Sequence, residues 1–151
     1  MLNLLQELQE TLNQEIPITQ CLGITAEHYN GKCLILKAPL AQNINHTGSA
    51  FAGSLNALLT LAGWGQLWLV LKECNIPAKI VIQDSIVNYL LPVQRDFLAS
   101  CYKPDPAQIA RMQRMLQKGG RARIELQAEI PANNATAVSF KGRYVVLLTD
   151  K

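Results

Sequence analysis

No Cys-x-x-Cys pair occurs in the chain. Its four cysteines, Cys21, Cys33, Cys74 and Cys101, stand far apart. With only two histidines, His28 and His46, the sequence offers no zinc spacing, so no metal site is expected. A thiol inside an apolar strand packs as a small hydrophobe, and all four cysteines read as reduced thiols in the cytoplasm. Strong charge is also missing. A formal charge of +3 over 151 residues is too weak for a dedicated nucleic-acid binder. Met1 to Glu15 opens with leucines broken by glutamates rather than a basic flank before an apolar block, so no secretory leader is expected. The most telling absence is acidic: no Asp or Glu lies between Glu27 and Glu73.

What is present suits one α+β domain over 1–151. Leu2, Leu5, Leu8, Leu12 and Ile16 recur at helical spacing, and Pro17 ends this amphipathic segment. Ile24 to Tyr29 and Lys32 to Ala38 flank Asn30-Gly31, a hairpin signal because both residues tolerate positive φ. Ala41 to Gly48 reads as a polar loop. Ala50 to Leu71 follows with no charged side chain. That run is long enough to cross a bilayer, but Ser54, Asn56, Thr60 and Gln66 interrupt it and no positive cluster flanks it. It therefore reads as a helix buried on all sides of a soluble fold, with no membrane span. Ile80 to Val93 and Phe97 to Tyr102 are strand-like. Asp105 to Lys118 is helical, with Ile109, Met112 and Leu116 on one face and Gly119-Gly120 as its stop. Arg121 to Ile130 alternates, with Ile124, Leu126, Ala128 and Ile130 on one side. Pro131 to Asn134 turns the chain into a last strand, Ala137 to Leu148. A curved antiparallel sheet around one apolar helix satisfies this order. Its free edges point to a homodimer or higher homo-oligomer.

Asn45-His46-x-Gly48-x-x-Phe51-x-Gly53-Ser54-Leu55, followed by Leu61-Ala62-Gly63-Trp64-Gly65, resembles the hotdog-fold thioesterase domain at the C-terminus of YiiD-type acetyltransferases. Tyr89-Leu90-x-Pro92-Val93, Lys118 to Arg123 and Phe140 to Val145 are similar to later strands of that family. The likeness runs from about residue 20 to the end. It implies a hotdog fold, acyl-CoA or acyl-carrier-protein thioesters as substrates, and no cofactor beyond the coenzyme A or pantetheine of the substrate. One departure stands out: where many hotdog thioesterases carry an acid on the central helix, this sequence has Thr60.

Thioester hydrolysis needs an oxyanion stabiliser, an aimed water and a proton acceptor. The start of the long helix, around Gly53 and Ser54, supplies free N–H groups and the positive dipole end; the plainer role is tight packing and capping. His46 is a candidate to take the water's proton or else simply holds the loop. Asn43 and Asn45 orient water or shape the turn. Asp84 interrupts an apolar strand, so it is either the missing carboxylate or a solvent-facing residue. Gly48, Phe51, Thr60 and Arg121 are candidates for contacting substrate, Arg121 through phosphates. Two further functions stay open, an acyl-CoA-binding module without turnover and a structural partner assembled through residues 1–16.

Overall fold

The structure, a computed structural model, describes residues 2–150. Helix α1 (Leu2–Glu15) buries Leu8 and Leu12 completely. A short α2 (Ile18–Leu22) follows Pro17 and closes on Gly23, whose φ of 69° is left-handed. Strands β1 (Thr25–Tyr29) and β2 (Cys33–Ala38) form the expected hairpin. Only Gly31 adopts positive φ there. Asn30 contributes its side chain instead, Oδ1 accepting the N–H groups of Lys32 and Cys33 at 2.9 and 2.8 Å.

The loop after β2 holds a single helical turn, α3 (Leu40–Asn43), and then α4 (Ala52–Glu73) runs for 22 residues. Strands β3 (Ala78–Tyr89) and β4 (Phe97–Tyr102) follow. Helix α5 (Pro106–Gly119) has a capping box: the Gln108 N–H donates to the Asp105 carboxylate, and the Asp105 N–H donates back to the Gln108 side chain. Strands β5 (Arg121–Ala132) and β6 (Ala135–Leu148) end the fold. Both reach further into the turn than the sequence indicated, because Asn133 takes the left-handed conformation (φ 56°) and leaves Pro131 and Ala132 free to pair.

All six strands form one antiparallel sheet in the order β1-β2-β4-β5-β6-β3. This is the α+β hotdog arrangement, a long central helix held against a single sheet. Along β5, Ile124, Leu126, Ala128 and Ile130 turn to the core while the residues between them face solvent. Helix α4 packs on β2, β3, β4, β5 and β6. By length and composition it could cross a bilayer, yet 72% of its most apolar window is buried inside the fold. It is the core rod of the domain.

The two sheet edges differ. β1 is five residues long and α1 lies against it. β3 is twelve residues long and among the described residues pairs only with β6, leaving Val81, Ile86, Tyr89, Leu90 and Leu91 exposed along and beyond it.

Candidate active site

The start of α4 is built by its preceding loop. Asn43 is buried; its Nδ2 donates to the carbonyls of Leu22 and Pro39 at 2.9 and 2.8 Å, and its own carbonyl accepts the Phe51 N–H at 2.7 Å. Asn45 Oδ1 accepts from the Thr47 N–H (2.9 Å), the Thr47 hydroxyl (2.8 Å) and the Ser49 N–H (3.2 Å), which makes it the hub of the turn. Gly48 adopts φ 79° with open space where a β-carbon would stand, so it allows the turn rather than a close approach. Ala50 then hydrogen-bonds through its N–H to the Val93 carbonyl at 2.7 Å, fixing the helix start to the segment after β3.

Phe51 is the N-cap in extended conformation (φ −62°, ψ 133°) and offers no side-chain cap. Its carbonyl accepts the N–H groups of Ser54 and Leu55 at 3.0 and 3.1 Å. Among the described residues the N–H groups of Ala52 and Gly53 have no acceptor. Two unpaired donors at the positive end of a 22-residue helix are an anion-stabilising feature. The Phe51 ring lies over Gly53, where a β-carbon would collide with it. Gly53 therefore makes room for a ring rather than for an approaching main chain.

Two clefts flank this turn. One, of about 270 Å³, lies between Asn45, Ala50, Ala52, Leu55 and the stretch Tyr89–Val93. Its wall is tied down where the Tyr89 hydroxyl donates to the Ala52 carbonyl at 3.3 Å. The other, of about 340 Å³, is a more apolar groove lined by Ile16, Ile18, Gly53, Asn56, Ala57, Thr60 and Leu61. Thr60 donates to Asn56 Oδ1 at 3.3 Å on this groove. Sequence reasoning missed Asn56 as a site residue. Its spacing of three from Gly53 and four from Thr60 was the available signal.

The predicted site residues thus divide. Asn43, Asn45, Gly48, Phe51, Gly53 and Ser54 gather at the first turn of α4, and Thr60 stands about two turns further along it. Ser54 is buried in the first turn. His46 sits exposed on the rim of the loop. Asp84 is not brought to the helix start. It is exposed on β3 with both oxygens engaged by Arg143, Nε at 2.7 Å and Nη2 on the other. The guanidinium holds its carboxyl below the usual range, chiefly by hydrogen bonding. Arg121 opens β5 opposite Leu147, beside the start of β3 and hence the C-terminal end of α4. In one chain it lies about a helix length, roughly 33 Å, from the Phe51 turn.

That far end holds a second polar group. The Tyr29 hydroxyl donates to Glu73 at 2.5 Å, and Lys103 pairs with the same carboxylate. Burial, then Glu73, pushes the Tyr29 pKa above the ordinary phenol value.

The family model described as "Putative thioesterase (yiiD_Cterm)" matches residues 5–148. The chain belongs to that family. The match includes α1 and α2, so the family's domain begins well before residue 20, where the motifs alone had placed it. Among solved structures, a protein of unknown function from Chlorobaculum tepidum is 33% identical with a TM-score of 0.91, over 95% of this chain and 94% of that one. A "putative thioesterase" from Shewanella oneidensis is 31% identical with a TM-score of 0.88, over 97% and 99%. A thioesterase from Haemophilus influenzae shares the fold at 16% identity, TM-score 0.71, over 95% and 90%.

Proposed function

We propose that the chain is an acyl-thioester hydrolase, acting on acyl-CoA or acyl-carrier-protein thioesters, in which the free N–H groups of Ala52 and Gly53 stabilise the oxyanion. The observation carrying this reading is that pair of unpaired donors between two clefts. A thioester carbonyl lodged there would gain negative charge opposite fixed donors and a helix dipole, which stabilises the tetrahedral intermediate more than the bound ester. The apolar groove beside Gly53, Asn56 and Thr60 suits the acyl chain. Water adds to the carbonyl carbon, the C–S bond breaks, and the thiolate leaves. With Asn45 tied into its turn and Asp84 into an ion pair, His46 is the group left on the loop to take the water's proton. The thioester brings its own coenzyme A or pantetheine, and no resident cofactor is invoked.

The long exposed β3 edge supports a homodimer paired through that strand, since an uncovered apolar edge of twelve residues otherwise invites aggregation. Antiparallel pairing of two β3 strands sets the Tyr89 end of one copy against the Ala78 end of the other. Arg121 of one protomer then shares a level with the α4 start of the other. Four free thiols accord with a cytoplasmic setting.

Proline substitution at Ala52 tests the oxyanion role. Ala52 is the first helical residue, and Phe51 before it has the extended backbone that proline requires. Ala52→Pro removes one N–H with the fold intact. Turnover of a panel of acyl-CoA thioesters should fall by about 10²–10³ in kcat. Full activity in both Ala52→Pro and Gly53→Pro would sink the mechanism. The lack of any Asp or Glu between Glu27 and Glu73 favours a second reading, an acyl-CoA-binding module; tight binding with no hydrolysis at any chain length would select it.

A further inference from the structure

We propose that the outer face of α5 is a docking surface for an acidic carrier protein, so that the thioester arrives on a protein-borne pantetheine. This rests on the thioesterase reading above and narrows its substrate class.

The helix is sharply divided. Met112 and Leu116 are buried in the core, while Arg111, Arg114 and Lys118 are exposed on the opposite side. Their spacing of three and four residues aligns them in one stripe about 10 Å long. Arg121 follows immediately beyond the C-cap Gly120, also exposed. No acidic residue lies within α5, and Asp105 is used as its cap. Among the described residues none of these four cations has a salt bridge, which is also true of Lys32, Lys37, Lys79, Arg95 and Arg123; what sets the four apart is that three of them line one helix face with no acid between them. Like charges lined up without partners repel one another, so the arrangement disfavours the free protein slightly and favours a complex with an anionic surface.

Three features select the occupant. The stripe runs along an exposed helix face, and neither cleft at the α4 start includes it, so it presents an extended surface rather than a nucleotide pocket. The apolar face of α5 is already spent on the core, so the helix has no apolar side to insert into lipid. A charge of +3 over the whole chain is too low for nucleic acid. An acidic helix of a partner protein matches a ridge of this length and sign. In the β3-paired dimer, the C-terminal end of α5 also lies level with the partner copy's α4 start. β5 and the partner's β3 are three strand spacings apart there, about 14 Å across the sheet. A pantetheine arm can cover that span.

The test measures binding and turnover separately in the full-length protein. A fluorescent acyl-carrier protein carrying a non-hydrolysable acyl-pantetheine amide is titrated by anisotropy, and the matching acyl-CoA amide is titrated alongside. The triple variant Arg111→Glu, Arg114→Glu, Lys118→Glu should weaken carrier binding tenfold or more and leave acyl-CoA binding unchanged. The corresponding Gln triple should fall between. The thermal midpoint should move only slightly, because all three side chains are exposed. Unchanged carrier binding overturns the proposal. So does an equal loss for acyl-CoA, which would make the stripe a phosphate site, or reversal-sensitive binding to anionic phospholipid vesicles. Carrier binding without hydrolysis of either thioester would sink the hydrolase reading and leave the docking surface standing.

Discussion

The Tyr144 hydroxyl donates to the main-chain carbonyl of Thr60 at 2.7 Å, reaching from β6 into the middle of α4. Tyr144 is completely buried, and its hydroxyl lies where a side chain at Gly63 would project. Gly63 is helix-unfavourable by propensity, and here it is the space that lets the sheet grip the rod. That grip fixes where Thr60 and, one turn back, Asn56 stand in the apolar groove.

Gly63→Ala should destabilise the fold by roughly 1–3 kcal/mol, since the new methyl displaces a fully packed phenol. Urea unfolding followed by tryptophan fluorescence measures it. A variant as stable as the parent would show that Tyr144 moves freely, against the packing described.

Gln66 makes the opposite prediction. It is completely buried in α4, and among the described residues neither its amide nitrogen nor its oxygen has a well-aligned hydrogen-bond partner, the Tyr29 hydroxyl beside it being engaged by Glu73. Leu has a similar volume and no polar group to desolvate, so Gln66→Leu should raise stability by roughly 1–3 kcal/mol. A lowered thermal midpoint would instead mean that the carboxamide bonds to an enclosed water.

The Asp84–Arg143 pair sets a pH dependence. A carboxyl whose folded pKa is depressed contributes stability above its unfolded value, about 3.9, and loses it as pH falls through the lower folded value. The parent should therefore unfold at a higher temperature than Asp84→Asn at pH 7, and the gap should close in strong acid. Both side chains are about half exposed, so the gap should be small and shrink with salt. An Asp84→Asn variant that abolishes turnover with stability unchanged would return this carboxylate to the catalytic set.

The β3 edge predicts the assembly. Ile86 is 64% exposed in the second half of that strand. Ile86→Lys puts a charged side chain into the apolar seam of an antiparallel pair and should shift the protein to monomer in light scattering. Thioester turnover should fall with it if the partner copy completes the cleft. A dimer unaffected by the change would move the interface elsewhere.

Local chemistry made most of the elements legible in the sequence. The uncharged run from Ala50, the strict alternation along β5 and the Asp105 cap with the Gly119-Gly120 stop each write their own structure, because helix and strand periods and end signals depend on near neighbours. The family was legible too, from the loop and the first turn of α4. Tertiary structure alone decided which polar residues meet. The sequence could not say that Asp84 would be engaged by Arg143 rather than aimed at the helix start. Pairing across strands depends on register, and β3 slips by one residue between Ile82 and Asp84. Nor could it say that Gly53 yields its space to the Phe51 ring, or that Arg121 ends at the opposite pole of α4. Those facts follow from how a rigid rod and a curved sheet close on each other, over distances that no local pattern records.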